Sequence, residues 1–233
     1  MDLVKHLKFP MTFDGARLQA DLSRVMDKTW TAHYNKEHYS GNWSSVALLS
    51  AGGKSASIYA IPHANEPVVP TEIMEGCTYF AEVFDSFDFP VITARLLRLD
   101  AGAVIKPHTD NCLGYEDGEF RLHIPVITNP EVEFILAGER LIMEEGSCWY
   151  INANEEHSVA NRGAEARIHL VIDGKRNAWT DELFFSMAPE SNFQRPEKAL
   201  SSEEEARMIA ELERMDNPAA RDLLTKLRQK QQQ

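Results

Sequence analysis

Two residues with the donor atoms of a metal site stand close together in the segment IKPHTDN, residues 105–111. His108 and Asp110 are two positions apart, and side chains at that spacing on an extended strand point to the same side. An imidazole and a carboxylate that converge in this way supply two of the three ligands of a two-histidine, one-carboxylate iron(II) site. His157, in INANEEHSVAN, also lies at the edge of a predicted strand and is the candidate third ligand.

Arg167 follows His157 along the chain, in the strand-like segment ARIHLVID. Arginine forms a planar, bidentate pair with a carboxylate. At about 3.3 Å per strand residue, a strand beside His157 would suit a five-carbon dicarboxylate that reaches from the metal to this arginine. Taken singly, these residues have ordinary explanations: a chance His-x-Asp pair, a surface histidine, a salt bridge. Their joint occurrence on strand edges favours a metal site with a carboxylate anchor.

Arg121 and His123 share one face of the segment FRLHIPVI, because alternate residues of a strand point to the same side. A buried arginine and a buried histidine are costly unless a ligand or an internal partner compensates them. The sequence leaves open whether they line a ligand pocket or form an internal salt bridge and a core hydrogen bond.

Helical patterns precede a central region of short strands. Residues 14–29 and 71–87 carry apolar side chains at helical spacing, and Thr71 is placed to cap the second segment. From about residue 90, short segments rich in branched and aromatic residues alternate with turn-forming residues. That alternation is typical of a β-sandwich or barrel.

The pattern returns to helix after residue 175. The stretch from Ser201 to Gln233 is highly charged and is typical of a solvated helical appendage, with a dimer or partner contact as the alternative. We therefore predict one domain over residues 1–175, with a helical lead-in, and a helical C-terminal appendage over residues 176–233.

The amino-acid composition of the chain argues against some classes of binding partner. Acidic residues outnumber basic residues by 36 to 24, which gives a formal charge of -12. Such a surface repels phosphates, so neither nucleic acid nor an anionic membrane is an expected partner. Three cysteines, Cys77, Cys112 and Cys148, give no disulfide framework, and the polar N-terminal segment is unlike a signal peptide. Both features predict a reducing, cytoplasmic environment.

The candidate site residues lie in three segments: RLLRLDAGAVIKPHTDN at 95–111, FRLHIPVITN at 120–129 and GSCWYINANEEHSVANRGAEARIHLVID at 146–173. Together these segments resemble the aspartyl/asparaginyl β-hydroxylase family. Upstream, AHYNKEHYSGNWSSVALLSAGG, with Tyr34 and Trp43, is similar to the lead-in of the bacterial cis-proline hydroxylases within that family. The resemblance covers about residues 8–175.

The resemblance implies a fold and a metal site. The fold is a double-stranded β-helix, a jelly-roll or cupin-like arrangement that is mainly β with flanking helices and holds iron(II) at its open end. By the same resemblance, His108, Asp110 and His157 match the metal ligands, and they are the catalytic residues. Arg167 matches the residue that holds the distal carboxylate of 2-oxoglutarate.

The resemblance also implies a reaction. Arg121 and His123 match positions that line the cosubstrate and substrate pocket. Dioxygen and 2-oxoglutarate would be cosubstrates, and 2-oxoglutarate would be converted to succinate. The hydroxylated substrate would be an amino acid, either free and proline-like or an aspartyl or asparaginyl residue of a peptide or protein.

The sequence departs from parts of the family and leaves two other functions open. Animal aspartyl β-hydroxylases lack the carboxylate ligand, whereas Asp110 completes the triad and argues against halogenase chemistry. Leu97 stands where some aspartyl hydroxylases carry a serine. One alternative is a cupin-like metalloenzyme that does not use 2-oxoglutarate and has no need of Arg167 as an anchor. The other is a non-enzymatic ligand- or oxygen-sensing barrel. The C-terminal helices are a candidate homodimer contact.

Overall fold

A computed structural model describes residues 3–57, 66–195, 202–215, 217, 220–221 and 223–225. Over this part of the chain the protein is mainly β with flanking helices, as predicted. The strands are β1 (His6–Thr12), β2 (Thr31–Ala32), β3 (Tyr39–Ser40), β4 (Trp43–Ala51), β5 (Val68–Pro70), β6 (Val91–Leu99), β7 (Val104–His108), β8 (Glu119–Ile127), β9 (Val132–Leu136), β10 (Glu139–Leu141), β11 (Ser147–Ile151), β12 (His157–Asn161) and β13 (Arg167–Lys175). The α-helices are α1 (Gly15–Ser23), α2 (Thr78–Asp85), α3 (Ala178–Met187) and α4 (Ser202–Met215).

The strands form two antiparallel sheets. The larger sheet has the order β1-β11-β8-β13-β6-β4-β2, with β5 paired to β4, and the smaller sheet has the order β10-β9-β12-β7-β3. An apolar cluster joins the two sheets, with Leu99 and Ile151 from the larger sheet packed among Ile105, Phe134 and Val159 from the smaller one. Two sheets packed in this way confirm the predicted jelly-roll class.

The two faces of β13 contact different parts of the protein. Ile168, Leu170 and Ile172 pack into the main apolar core, which the helices α1, α2 and α3 cover. The alternate residues include Arg167 and Asp173, which are buried on the other face, toward the smaller sheet. The strand therefore carries apolar residues to the helices and polar residues into the space between the sheets.

The lead-in contains more strand than the sequence predicted. β1 and β4 both belong to the larger sheet, although the first third of the chain was expected to be helical and irregular. β4 is buried along most of its length, so its apolar run lacks the alternation that marks a strand with one solvated face. β1 contains Pro10 and lies at the end of the strand order, where a proline is tolerated.

The two predicted helices of the lead-in are shorter than expected. α1 begins after the Asp14 cap and ends at Ser23, not at residue 29. In the second segment, Thr71 caps only a 3-10 turn, and Gly76, at φ +79°, interrupts the chain before α2 begins. The cap of α2 comes from the Asp21 carboxylate, which accepts hydrogen bonds from the first backbone N–H groups of the helix, a contact between helices that local sequence does not reveal.

The chain divides into two compact units, Met1–Arg195 and Pro196–Gln233. The division lies further along the chain than the predicted one after residue 175. The reason is that α3 belongs to the first unit: Phe184 is fully buried and stacks on Tyr115 with ring centroids 3.8 Å apart. In the second unit, α4 begins at Ser202, inside the charged stretch assigned to helix, while residues 226–233 lie outside the described residues.

Among the described residues, no helix is both long and apolar enough to cross a lipid bilayer.

Candidate metal centre

The structure brings His108, Asp110 and His157 together. One ligand atom from each side chain lies within 4.8 Å of the others. His108 and His157 are direct partners on the adjacent strands β7 and β12. Asp110 follows the end of β7, where its backbone N–H donates to the carbonyl of Ala153 at 2.8 Å. Two strands and one tethered turn thus hold the three donors on one side of a common point.

Each histidine has one ring nitrogen fixed by the backbone. Nδ1 of His108 lies 2.9 Å from the carbonyl of Lys106, and Nδ1 of His157 lies 3.0 Å from the carbonyl of Glu155. A carbonyl only accepts, so Nδ1 carries the hydrogen in each neutral ring and Nε2 keeps its lone pair. Burial lowers the pKa of His157 to about 4, so this imidazole is neutral at physiological pH. Both rings are therefore held in the form that binds a metal.

Asp110 is kept ionised by its neighbours. Burial disfavours the charge, but the guanidinium of Arg121 and the two histidines outweigh it and hold the pKa of this carboxyl below its ordinary value. One carboxylate oxygen accepts a hydrogen bond from Arg121, and the other lies 3.9 Å from Nε2 of His108. Two imidazoles that present Nε2 and one ionised carboxylate are the donor set of a facial iron(II) site, so these residues fit that metal.

A ladder of alternating charges extends from Asp110 into the larger sheet. Arg121 donates to Asp110 and also to both oxygens of Asp173, at 2.7 and 3.1 Å. Asp173 is fully buried and accepts a further hydrogen bond from Arg95 at 2.6 Å. Arg121 was predicted from the sequence as a site residue, whereas Asp173 and Arg95 were not. The available signal was one charged residue in each of two mostly apolar segments, LVID and VITAR.

Arg167 is buried without a carboxylate. It is 2% exposed, and among the described residues no aspartate or glutamate forms an ion pair with it. Its Nη2 donates to Nδ1 of His169 at 2.7 Å, while its Nε has no hydrogen-bond partner within the described part of the chain. Burial lowers the pKa of Arg167 to about 9. A buried guanidinium without a carboxylate partner is energetically costly. The carboxylate of a bound ligand would compensate its charge.

His123 lies beside that arginine. It is nearly fully buried, and its Nδ1 is 3.4 Å from Nδ1 of His169. Its Nε2 has no hydrogen-bond partner among the residues described. Burial lowers the pKa of both His123 and His169 well below the ordinary value, so both rings are neutral.

All six predicted site residues border one cavity, the inner pocket. It is lined by His108, Asp110, Arg121, His123, His157 and Arg167, together with apolar side chains that include Phe134 and Val159. A second cavity, the outer pocket, has a volume of about 320 Å³ and shares His108, Asp110, Arg121, Trp43 and Leu97 with the inner pocket. The two pockets therefore meet at the metal-ligand cluster.

The lead-in supplies an aromatic wall to the outer pocket. His33 stacks on Trp43 with centroids 3.7 Å apart and planes 11° apart. Tyr34 lies against His33, with ring centroids 4.6 Å apart, and is 63% exposed. Burial lowers the pKa of His33 to about 4, so the stacked ring is neutral. Tyr34 and Trp43 stand out in the sequence through the family resemblance, whereas His33 has no distinguishing motif.

Because several buried histidines are neutral, we expect the folded protein to lose stability as the pH falls. Unfolded histidine titrates near pH 6.5, whereas His123, His157 and His169 take up protons only at lower pH in the folded chain. Between about pH 6.5 and pH 4, the unfolded state thus binds more protons, and the free energy of unfolding falls as pH falls. For one histidine the slope cannot exceed about 1.4 kcal/mol per pH unit, the limit reached while the unfolded chain is protonated and the folded chain is not. Urea unfolding of metal-free protein across the window measures the slope, and His169→Gln should reduce it; a flat profile would contradict these pKa shifts.

The chain is similar to known proteins over most of its length. A family model described as aspartyl/asparaginyl beta-hydroxylase matches residues 13–177. The L-proline cis-4-hydroxylase of Rhizobium meliloti (strain 1021) is 27% identical over 180 residues, which cover 76% of this chain and 63% of that protein. The chain thus spans less than two thirds of that relative. A crystal structure of an oxidoreductase of the 2OG-Fe(II) oxygenase family from Burkholderia pseudomallei matches with a TM-score of 0.50 at 14% identity, over 74% of this chain and 86% of that one, and shares the fold.

Proposed function

The chain belongs to the aspartyl/asparaginyl β-hydroxylase family, and on that premise we propose that it is an iron(II)- and 2-oxoglutarate-dependent dioxygenase that hydroxylates an amino acid. One observation carries the proposal: the inner pocket joins a three-donor metal site to a buried guanidinium, Arg167, that has no carboxylate partner among the described residues. We assign the activity to residues 1–195, the compact unit that contains the whole site.

Each residue of the site would have a distinct role in binding the metal or 2-oxoglutarate. Iron(II), dioxygen and 2-oxoglutarate together supply the oxidising chemistry, in which 2-oxoglutarate becomes succinate and carbon dioxide and one oxygen atom enters a C–H bond. His108, Asp110 and His157 would hold the metal on one face and leave its remaining positions open. Arg167 would fix the distal carboxylate of 2-oxoglutarate, and Arg121 would keep Asp110 ionised and in place.

Arg167→Ala is expected to weaken 2-oxoglutarate binding by about 10- to 150-fold, since a hydrogen-bonded contact to a charged group contributes about 1.5–3 kcal/mol. The same change should cost the ligand-free protein little free energy of unfolding, because removal of a buried charge that has no internal counter-ion among the described residues offsets the lost packing and the lost hydrogen bond to His169. Calorimetric titration of 2-oxoglutarate and urea unfolding measure the two effects.

A matched control is Arg162→Ala. Arg162 is exposed and pairs with Glu133 at 2.8 Å, outside both pockets. This variant should bind 2-oxoglutarate like the wild type. An unchanged affinity in Arg167→Ala would show that the distal carboxylate is held elsewhere.

A free amino acid is the substrate class that the outer pocket fits best. A volume of about 320 Å³ lies at the lower end of the range for ligand cavities, which suits one residue better than a peptide. The stacked rings of His33 and Trp43 provide an apolar surface for a small ring. The similarity to an L-proline cis-4-hydroxylase supports proline or a proline-like amino acid.

A substrate panel tests this assignment. Anaerobically purified protein would receive iron(II) and 2-oxoglutarate, then oxygen, with free amino acids or short Pro-, Asp- and Asn-containing peptides added one at a time. We expect succinate, measured by NMR, to rise most with L-proline or another cyclic amino acid. Stimulation by peptides alone would contradict the assignment of a free amino acid as the substrate.

A cytoplasmic location and a homodimer through the C-terminal helices stay predictions from the sequence.

A further inference from the structure

A third cavity, the side pocket, lies apart from the metal-ligand cluster. Its volume is about 530 Å³, and its wall is formed by Val132, Phe134, Leu141 and Met143 together with His169. It shares Phe134 with the inner pocket and no lining residue with the outer pocket. The proposed hydroxylation uses the other two pockets and leaves this one without a role.

The charged side chains at the rim of the side pocket are already hydrogen bonded. Arg140 donates to the carbonyls of Pro130 and Val132, at 2.8 and 3.0 Å. Glu144 pairs with Lys8 at 2.8 Å. Glu145 accepts from the side chain of Gln19 and from the backbone of Thr128, at 3.0 and 3.2 Å. Because the wall is apolar and the rim side chains already use their hydrogen-bonding groups, burial of a charged ligand against this wall would be costly.

His169 is the unmatched polar group of this wall. The guanidinium of Arg167 has only donors, so Nδ1 of His169 must accept the hydrogen bond between them. The neutral ring then carries its hydrogen on Nε2, which is buried and has no partner within the described part of the chain. An unsatisfied buried donor costs about 1–3 kcal/mol, and an acceptor on a ligand that moves the wall aside to reach this covered nitrogen would relieve that cost.

We propose that the side pocket is a second small-molecule site, which takes an uncharged ligand with an apolar body and one hydrogen-bond acceptor, recognised by the Nε2–H of His169. The apolar wall binds the body and disfavours an ion. Because His169 also contacts Arg167, a bound ligand would lie next to the residue assigned to 2-oxoglutarate.

A pair of fluorinated probes tests the proposal on metal-free protein without 2-oxoglutarate, so the outcome does not depend on hydroxylase activity. 4-Fluoroacetophenone carries a carbonyl acceptor, and 1-ethyl-4-fluorobenzene has the same skeleton without it. We expect saturable binding of both by fluorine NMR, with the ketone about five- to tenfold tighter through one hydrogen bond. In His169→Leu, that preference for the ketone should disappear.

Variants locate the binding site. Met143→Trp should fill the pocket and abolish binding of both probes, whereas Ile142→Ala, which trims a 71% exposed rim residue, should retain it. Thr128→Trp fills the pocket from another part of its wall if Met143→Trp fails to fold. No saturable binding, or binding that persists in a folded Trp variant, would overturn the site. Equal affinity for the two probes in the wild type would overturn recognition by His169.

Discussion

His157→Ala is expected to bind iron(II) at least about 100-fold more weakly than the wild type and to lose turnover. Loss of a residue that merely supports a metal ligand already lowers metal affinity or activity by about 10- to 100-fold, and His157 would be a ligand itself. Its Nε2 is free for the metal because Nδ1 is hydrogen bonded to the backbone. His108→Ala should behave in the same way, since His108 is its direct partner on the adjacent strand. Anaerobic titration with iron(II), followed by succinate formation, measures both effects.

A histidine outside the site provides the control. His6 lies on β1, where it contacts Glu139 at the surface, and it lines neither the inner nor the outer pocket. His6→Ala should bind iron(II) and turn over like the wild type. Near-normal activity in His157→Ala or His108→Ala would remove that residue from the ligand set.

Asp173→Asn is expected to lower the free energy of unfolding by about 3–5 kcal/mol, the cost of leaving a buried charge without its partner. Asp173 is fully buried and holds both Arg121 and Arg95, so the neutral amide would leave these guanidiniums with Asp110 as the remaining carboxylate of the ladder. The substitution keeps the size of the side chain, so the loss reports charge rather than packing. Urea unfolding at neutral pH measures it.

Glu133→Gln is the matched change on the surface. Its partner Arg162 is 63% exposed, and exposed pairs contribute at most about 1 kcal/mol. If Asp173→Asn lowered the free energy of unfolding by as little as Glu133→Gln, the charges of the buried arginines would have to be compensated by groups other than Asp173. Because Arg121 also contacts Asp110, a folded Asp173→Asn variant should in addition bind iron(II) more weakly.

Local patterns in the sequence reveal the polar residues of the site. The two-residue spacing of His108 and Asp110 gives a convergent pair on any extended strand, and the alternation in ARIHLVID sends Arg167 to the side opposite the apolar core. The composition of the central segments indicates the strands themselves. These features depend on neighbours along the chain, which is why they can be predicted from the sequence.

Features that depend on distant neighbours are not specified by local patterns. The pairing of β7 with β12 brings two histidines together, and no local pattern specifies that register. β4 is covered on both faces, so it lacks the alternation that would identify it as a strand. Asp173 and Arg95 are recognisable as a pair only once β13 and β6 are known to be neighbours. The helix α3 was separated from the first compact unit because Phe184 finds its partners in residues far away along the chain.

The most direct test of the proposed function is the balance between the two products of one reaction. Purified protein would be supplied with iron(II), 2-oxoglutarate, dioxygen and L-proline, and succinate and hydroxylated proline would be quantified together by NMR. The account predicts that both form in equal amounts, that both require iron(II), and that both vanish in His157→Ala. Iron-bound protein that forms no succinate with any member of the panel would contradict the account and favour a cupin-like metalloenzyme or a sensing barrel that does not use 2-oxoglutarate.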